Sequence, residues 1–361
     1  MKSLETDFLG RQAIPIEMGG LLQKLGEFKG RQDLFQHQTP QVLETLKQTA
    51  IIESTESSNR IEGVIVPAKR FRELMAQPSK PQNRSEAEIL GYREMLSRIH
   101  ANPESFSVDE AMILELHKQI YAKTGIPAGH WKKRDNAIEE RLPDGKWVTR
   151  FVPVSAGQTP YYMKELCIRF NRIWDKRQIS PLIIIPAFVF DFLCIHPFSD
   201  GNGRVSRLLT VLLLHQSGYT VGRYISIERL IEESKETYYE VLRKTSQGWP
   251  EGKHSLKPWW EYSLGILIGA YRQFEQRVGT ITSRRGAKTI MVEETIKNLP
   301  DTFGISDVER LCPAVSRDMI RTILNRLRQE GHLICKGTGR RALWEKRGNK
   351  PPKRGNKRGN N

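Results

Sequence analysis

A stretch of twelve residues concentrates the side chains that could carry out a reaction. It spans residues 196–207 and reads His-Pro-Phe-Ser-Asp-Gly-Asn-Gly-Arg-Val-Ser-Arg. His196 could act as a general base near neutral pH, and Asp200 could bind a hard cation such as Mg²⁺. Arg204 and Arg207 add cations that could hold phosphate groups. A base, a metal-binding carboxylate and phosphate ligands in one segment indicate phosphoryl-type transfer.

The backbone of this segment is suited to bind an anion. Gly201 and Gly203 flank Asn202 and let the chain approach a ligand closely, because glycine has no side chain to block it. The segment follows an apolar helix predicted over residues 181–195 and leads into a helix predicted over 202–216. Unpaired N–H groups at the start of a helix attract phosphate. The sequence therefore predicts a phosphate-binding loop ahead of the second helix.

The rest of the chain must supply a scaffold, and its pattern is mainly helical. The chain has 361 residues, of which 38% are hydrophobic and 27% charged, which predicts a soluble globular protein of two or three units. The first strong helical signal begins at Thr39-Pro40, a capping residue followed by proline. Helical periodicity then recurs over residues 86–100, 108–121, 163–177, 227–247 and 257–277.

Two regions depart from this helical pattern. The turn Pro143-Asp144-Gly145 precedes an alternating run from Trp147 to Val152, which predicts a β-hairpin. The final unit, residues 289–345, has the order helix, short helix, helix and hairpin, and so resembles a winged helix-turn-helix. Residues 278–288 are predicted to be a linker, and 346–361 a disordered basic tail.

The catalytic segment resembles the signature of the Fic family, HxFx[D/E]GNGRxxR. Every fixed position is filled, by His196, Phe198, Asp200, Gly201, Asn202, Gly203, Arg204 and Arg207. The resemblance extends roughly from Thr39 to Tyr271. It implies a Fic-type helical core over residues 101–277 with a β-hairpin flap, preceded by an N-terminal helical region over 1–100.

The resemblance also implies an activity, the transfer of AMP from Mg²⁺-bound ATP to a Ser, Thr or Tyr hydroxyl of a target protein. His196 would deprotonate that hydroxyl, and the flap near residues 144–152 would bind the target segment through backbone hydrogen bonds. Asp200 would hold the metal and Phe198 would pack the motif into the core. The remaining ATP ligands would be Gly201, Asn202, Gly203, Arg204 and Arg207, with Tyr239 as a candidate for the nucleotide wall.

A second pattern resembles the family's inhibitory helix, [S/T]xxxE[G/N]. It is filled by Ser58, Glu62 and Gly63, and Ser58 and Glu62 are four residues apart, on one helix face. The resemblance implies that Glu62 pairs with Arg207 and withholds that cation from the γ-phosphate. Some relatives use this glutamate to remove AMP from the modified target, and the sequence does not decide whether Glu62 does so.

Two alternatives remain open at this stage. A related enzyme could transfer another phosphate-containing group, such as UMP, phosphocholine or a phosphoryl group, although the intact Gly-Asn-Gly core favours AMP. The C-terminal unit and the tail could bind DNA. The formal charge of +16 suggests such a partner. However, little of this charge lies in the C-terminal unit, because residues 289–345 hold nine basic and eight acidic residues. The tail, residues 346–361, holds seven Lys and Arg and no acid.

Other features concern location and assembly. The four cysteines are far apart and form neither a CxxC pair nor a zinc-binding spacing, so we expect reduced thiols in a cytoplasmic protein. No secretory signal is recognisable, and the longest apolar run, residues 182–195, is too short to span a membrane. A homodimer is compatible with the sequence, which does not decide the oligomeric state.

Overall fold

The computed structural model describes residues 1–38, 40–76, 79–141, 145–283, 287–312, 315–337 and 342–347. The chain divides into two units. The larger unit contains residues 1–38, 46–66 and 80–277, and the smaller unit contains residues 39–45, 67–79 and 278–361. Residues 1–100 therefore do not form a unit of their own, because parts of them belong to each of the two.

The larger unit is built almost entirely from helices. They are α1 (Thr6–Arg11), α2 (Ile16–Gln38), α3 (Pro40–Ile61), α5 (Arg84–Ala101), α6 (Glu110–Tyr121), α7 (Thr159–Lys176), α8 (Pro181–Ile195), α9 (Asn202–Gln216), α10 (Ile227–Glu233), α11 (Lys235–Ser246) and α12 (Lys257–Ser283). Two 3₁₀ helices, Pro103–Ser105 and Thr220–Arg223, and the strands β1 (Ile138–Arg141) and β2 (Trp147–Phe151) complete it. The first residues of α3 and the last of α12 are assigned to the smaller unit.

The core of the larger unit is centred on α8 and α9. Apart from Asp191, helix α8 is apolar around its circumference, so it is buried between α7 and α9. Pro186 interrupts its backbone hydrogen bonding. The indole N–H of Trp259 donates to the Pro186 carbonyl over 2.8 Å, and that of Trp260 donates to the Ile183 carbonyl over 3.0 Å. These bonds help to hold a buried helix that ends at the catalytic segment.

The sequence pattern did not identify the helices that precede residue 39. Helix α2 contains four glycines, at positions 19, 20, 26 and 30, which lower intrinsic helix propensity. It nevertheless forms, and it buries Met18, Leu25, Phe28 and Gln32 along one side. Burial of an apolar stripe outweighs local propensity in such a helix.

Two further predictions differ in detail from the structure. The helix predicted over residues 227–247 is divided in two at Ser234, which lies between α10 and α11. The predicted hairpin is present as β1 paired with β2, antiparallel. Residues 142–144 of its turn, including Asp144, lie outside the described residues.

The smaller unit contains α4 (Ala68–Ala76), α13 (Ala287–Asn298), β3 (Thr302–Gly304), α14 (Ile305–Leu311), α15 (Arg317–Gln329), β4 (Leu333–Lys336) and β5 (Leu343–Lys346). Its three strands form an antiparallel sheet in the order β3-β5-β4. Its core includes Val292, Val308, Ile320, Leu324 and Trp344. Helices α13, α14 and α15 and the β4–β5 hairpin follow the order predicted from the sequence, and β3 is an additional strand. Classification as a winged helix stays a prediction.

The predicted linker is largely helical, because α12 continues to Ser283 and α13 begins at Ala287. Residues 284–286 and all but the first two residues of the predicted tail lie outside the described part of the chain. Within the residues described, no helix combines the length and the apolar character needed to cross a membrane.

Candidate active site

The catalytic segment is the connection between α8 and α9. His196 follows the last residue of α8 with a left-handed backbone, φ = +51°, and its N–H donates to the carbonyl of Phe192 over 2.9 Å. Gly201, at φ = +85°, precedes the first residue of α9. A Cβ at Gly201 would lie 3.0 Å from the hydroxyl of Tyr121, so both the backbone angle and the space favour glycine.

Phe198 and Asn202 give this connection its shape. The ring of Phe198 is fully buried and stacks on His117, with 3.9 Å between ring centroids. The Asn202 side chain closes the loop from both sides, because it accepts from Phe198 N–H over 2.9 Å and donates to Phe198 C=O over 2.8 Å. The amide of Asn202 is therefore committed to the loop itself.

The ring of His196 has the orientation and the protonation state that a general base requires. A carbonyl can only accept a hydrogen bond, so Nδ1 of His196 must donate in its 3.3 Å contact with the Leu193 carbonyl. This leaves the lone pair on Nε2. Burial, with a smaller contribution from the positive charge of Lys132, lowers the pKa of His196 to about 4, against the opposing effects of the hydrogen bond to the Leu193 carbonyl, Glu62 and Asp200. The imidazole is thus neutral at pH 7 and able to take a proton.

Asp200 lies more than half exposed at the end of the loop. Its Oδ1 accepts from Gly201 N–H over 2.6 Å, and its Oδ2 accepts from Arg84 over 2.9 Å. Burial would raise the pKa of Asp200, but Arg204, a hydrogen bond from Tyr121, the Gly201 N–H and Arg84 together outweigh it and lower the pKa. Asp200 is accordingly an anion at neutral pH.

A single exposed carboxylate fits Mg²⁺ when phosphates accompany the ion. Mg²⁺ is usually held by one or two carboxylates together with substrate phosphates and water. Asp200 offers such a carboxylate beside the start of α9, and no cluster of three or more His, Cys, Asp or Glu occurs among the residues described. A metal at Asp200 would therefore come with its nucleotide, and it would have to displace the exposed Arg84 from Oδ2.

Arg204 is directed into the protein interior. Its side chain is 1% exposed, pairs with Glu88 of α5 and donates to the hydroxyl of Tyr121 over 2.6 Å. Its guanidinium also lies 3.5 Å from Asp200. The structure therefore places Arg204 where it fixes the start of α9 to α5 and α6.

Arg207 is bound to the last turns of α3. Its Nε donates to Ser58 Oγ over 2.8 Å, and its Nη2 donates to Ser58 C=O and to Glu62 Oε1, each over 2.9 Å. Burial would lower the pKa of Arg207, but the electrostatic effects of Glu62, Tyr238 and Tyr92 and the hydrogen bond to Glu62 together raise it, so the cation is retained. Nη1 of Arg207 is buried and has no hydrogen-bond partner among the described residues.

Glu62 also covers the backbone of the phosphate-binding loop. A Cβ built on Gly203 would overlap the Glu62 carboxylate and would come within 3.2 Å of Arg207 Nη1. The carboxylate thus occupies the space beside Gly203 into which that unpaired N–H group faces. An anionic group of a ligand and the carboxylate of Glu62 would compete for this space.

Helix α3 ends beside this contact. Gly63 follows the helix at φ = +77° and donates to the Arg60 carbonyl over 3.0 Å, and Lys235 Nζ donates to the Ile61 carbonyl over 2.9 Å. Several polar residues in the last turns of α3 are buried, namely Ser54, Thr55, Ser57, Ser58 and Asn59. Ser54 donates to Glu228 over 2.7 Å, and Ser58 itself is fully buried.

Tyr239 lies on α11 at the edge of the same region. Burial raises the pKa of Tyr239 to about 12, and the charge of Glu62 adds to this effect. Its ring is 45% exposed and contacts Tyr238 edge-on, with 5.2 Å between centroids. A half-exposed ring close enough to sense Glu62 and Arg207 could stack on a bound base.

The hairpin presents side chains and edges to solvent. Trp147 and Val152 are about two-thirds exposed. Phe151 packs against Trp249 of the same unit, with 6.1 Å between ring centroids. As described, the sheet has two strands, and so each has an outer edge available to another chain.

Sequence reasoning missed residues that position the motif. Glu88 and Tyr121 hold Arg204, Arg84 holds Asp200, and His117 supports Phe198. Gly129 N–H donates to His117 Nδ1 over 3.0 Å, so Nε2 of His117 donates to the Asp200 carbonyl over 3.2 Å. The spacing of Arg84 and Glu88, four residues apart at a helix start, was a usable signal for a charge pair.

The C-terminal unit gives little support for DNA as a partner. Arg317, Arg321 and Arg326 of α15 each pair with an acid of the same unit, namely Glu309, Asp318 and Glu293. Nucleic-acid binding requires a clear positive excess on one face. These ion pairs reduce that excess on the helix predicted to recognise DNA.

Comparisons with known proteins agree with this geometry. Residues 107–214 match the model of the Fic/DOC family. The chain is 25% identical over 220 residues to Protein adenylyltransferase Fic of Drosophila erecta, covering 59% of this chain and 40% of the relative. It is 28% identical over 158 residues to a probable protein adenylyltransferase of Aquifex aeolicus, covering 42% and 45%. The chain thus spans less than half the length of these curated relatives.

Solved structures show the same fold. A Fic family protein from Desulfovibrio desulfuricans G20 superposes with a TM-score of 0.58 at 19% identity, covering 94% of this chain and 98% of that one. A Fic domain containing signaling protein from Bacteroides thetaiotaomicron superposes with a TM-score of 0.58 at 22% identity, covering 72% and 96%.

Proposed function

We propose that this chain, whose residues 107–214 form a domain of the Fic/DOC family, is a protein adenylyltransferase that transfers AMP from ATP to a hydroxyl group of a target protein. The observation that carries the proposal is the pairing of a neutral His196 with a phosphate-binding loop within one connection. Relatives named as adenylyltransferases support it at the level of the family.

In the proposed reaction the target hydroxyl oxygen bonds to the α-phosphorus of ATP, and the bond from that phosphorus to the oxygen bridging the β-phosphate breaks. The hydroxyl proton passes to Nε2 of His196, and pyrophosphate leaves. Nδ1 of His196 keeps its bond to the Leu193 carbonyl, which holds the ring in orientation. The acceptor is left as the AMP ester of a Ser, Thr or Tyr.

The phosphates would lie along the start of α9. The N–H groups of Asn202 and Gly203 would face them, with that of Gly201 bonded to Asp200, and Arg207 would contribute a cation with an unpaired N–H. Asp200 would hold Mg²⁺, which neutralises phosphate charge when it is bound. Arg204 would act through position, because its guanidinium is committed to Glu88 and Tyr121.

Autoinhibition by Glu62 is part of the proposal. Its carboxylate pairs with Arg207 and occupies the space beside Gly203, so ATP would meet a negative charge where its outer phosphates must bind. ATP bound despite this charge would be displaced from the geometry that transfer requires. Removal of Glu62 should therefore release the reaction.

The target would add to the hairpin. An extended segment pairing with an outer strand edge through backbone hydrogen bonds would be held without a demand on its sequence. The exposed Trp147 and Val152 would contact its side chains. This arrangement would bring the acceptor hydroxyl to His196.

The proposal is tested with ATP labelled at the α-phosphate. Glu62→Gly protein incubated with cell extract should label a protein band strongly, the parent weakly, and Glu62→Gly/His196→Ala not at all. A nucleotide panel with UTP, CDP-choline and γ-labelled ATP would identify transfer of another group. Equal labelling by Glu62→Gly and parent would contradict the inhibition, and no α-label in any variant would contradict the adenylyl transfer.

A further inference from the structure

The backbone of His196 is in a conformation that its surroundings must maintain. Among the described residues, Arg177 and His196 alone combine a positive φ with a side chain. A left-handed conformation costs a residue with a Cβ free energy, and it persists at functional sites when neighbouring contacts hold it. The contacts on either side of His196 therefore bear on whether the base stays in place.

Lys132 makes contacts on both sides of His196. Its side chain is 4% exposed, and Nζ donates to the carbonyl of Ile195 over 3.2 Å. Its backbone N–H donates to the carbonyl of Pro197 over 2.8 Å. One residue thus binds the peptide groups before and after the proposed base.

A second residue extends the same contact. Asn136 Oδ1 accepts from Lys132 Nζ over 2.8 Å, and Asn136 Nδ2 donates to the Phe198 carbonyl over 3.2 Å. The Lys132 ammonium therefore has two oxygen acceptors in the interior. The segment from Lys132 to Asn136 follows the connection from Ile195 to Phe198 along its length.

The charge of Lys132 has two physical effects at this point. The carbonyl of Ile195 is one of the unpaired acceptors at the C-terminal end of α8, where the helix dipole favours a cation. The same charge disfavours a proton on His196 and lowers its pKa, together with burial. Glu62 and Asp200 act on His196 in the opposite direction.

We propose that Lys132 is a positioning residue of the active site, which holds the strained backbone of His196 through its contacts with the Ile195 and Pro197 carbonyls. The inference rests on the proposed function of His196 as the base. Lys133, the next residue along the chain, is exposed and provides a matched control.

The variants separate the hydrogen bond from the charge. Lys132→Met removes both, Lys132→Gln keeps a donor for the Ile195 carbonyl without charge, and Lys132→Arg restores charge and donors. In the Glu62→Gly background we expect Lys132→Met to lower kcat by about tenfold to a hundredfold, as misplacement of a catalytic group does, with KM for ATP unchanged. Lys132→Arg should recover part of kcat, and Lys133→Met should match the parent.

A second measurement does not depend on enzymatic activity. NMR titration of the His196 ring should give a higher pKa in Lys132→Met and in Lys132→Gln than in the parent, and no change in Lys133→Met. This readout remains available if no variant transfers AMP, so failure of the proposed function is distinguishable. If Lys132→Met does not fold, Lys132→Gln supplies both readouts. A kcat within twofold of the parent together with an unchanged pKa of His196 would overturn the proposal.

Discussion

Helix α9 carries two buried arginines in its first turns, and each pairs with a glutamate from a different part of the unit. Arg204 pairs with Glu88 of α5, and Arg207 pairs with Glu62, which directly follows α3. The two contacts are alike in chemistry and differ in surroundings. Glu88 is 2% exposed, whereas Glu62 is 26% exposed.

This difference in exposure separates a structural pair from a reversible one. The Arg204–Glu88 pair is enclosed by the protein and also includes Tyr121. Replacement of either charged partner by a neutral residue would therefore leave the other charge buried. In the second pair solvent reaches Glu62. Each arginine has one buried N–H group without a partner among the described residues, Nε in Arg204 and Nη1 in Arg207, so the exposure of the glutamate is what distinguishes the two pairs. We infer that the first pair builds the loop and that the second can open to a ligand.

The strongest test of the comparison is the same substitution at both glutamates. Glu88→Gln should lower the free energy of unfolding by about 3 kcal/mol, because it leaves the buried Arg204 cation with the exposed Asp200, 3.5 Å away, as its remaining counter-charge. Urea denaturation measures this. Glu94→Gln on the same helix, whose pair with Lys123 is exposed, should cost less than about 1 kcal/mol. Similar decreases in the free energy of unfolding for Glu88→Gln and Glu94→Gln would contradict a structural role for the buried Arg204–Glu88 pair.

Glu62→Gln should have the opposite effects, with little change in the free energy of unfolding and a gain in AMP transfer. Solvent can hydrate the exposed side of this contact, so the free energy of unfolding should change by no more than about 1 kcal/mol. Transfer of labelled AMP should rise by up to about fivefold, because a free energy of about 1 kcal/mol corresponds to such a factor in the competition for Arg207. The rise should be smaller than in Glu62→Gly, since an amide still occupies the space beside Gly203. A large decrease in the free energy of unfolding without a gain in AMP transfer would show that both pairs are structural.

The catalytic segment was accessible to sequence reasoning because its chemistry is contiguous. His196, Asp200 and the glycines lie within one connection, and local spacing places them at a helix start. The pairing of Glu62 with Arg207 was accessible only through resemblance, since the two residues are 145 positions apart. No local pattern indicates which helix end will meet a given arginine.

What spacing could not reveal is how a side chain is oriented. Both arginines were predicted to hold outer phosphates, but Arg204 pairs with Glu88. Glu88 lies on another helix, α5, and only the tertiary packing of α5 against α9 brings the two residues together. The same limitation applies to Lys132, which stands in the run Lys132-Lys133-Arg134. The run resembles a solvated basic surface, and its first member alone is buried.

The smallest effect is expected at the exposed edge of the site, where Arg84 pairs with Asp200. Both side chains are more than half exposed, so the contact is worth no more than about 1 kcal/mol. Because Arg84 occupies Oδ2 of the proposed metal ligand, Arg84→Ala in the Glu62→Gly background should lower the Mg²⁺ concentration for half-maximal AMP transfer by about two- to fivefold. Arg98→Ala, also on α5 and half exposed, serves as the control and should leave it unchanged. A higher Mg²⁺ requirement in Arg84→Ala would instead mean that Arg84 itself supports nucleotide binding, and it would place a third arginine beside the two on α9.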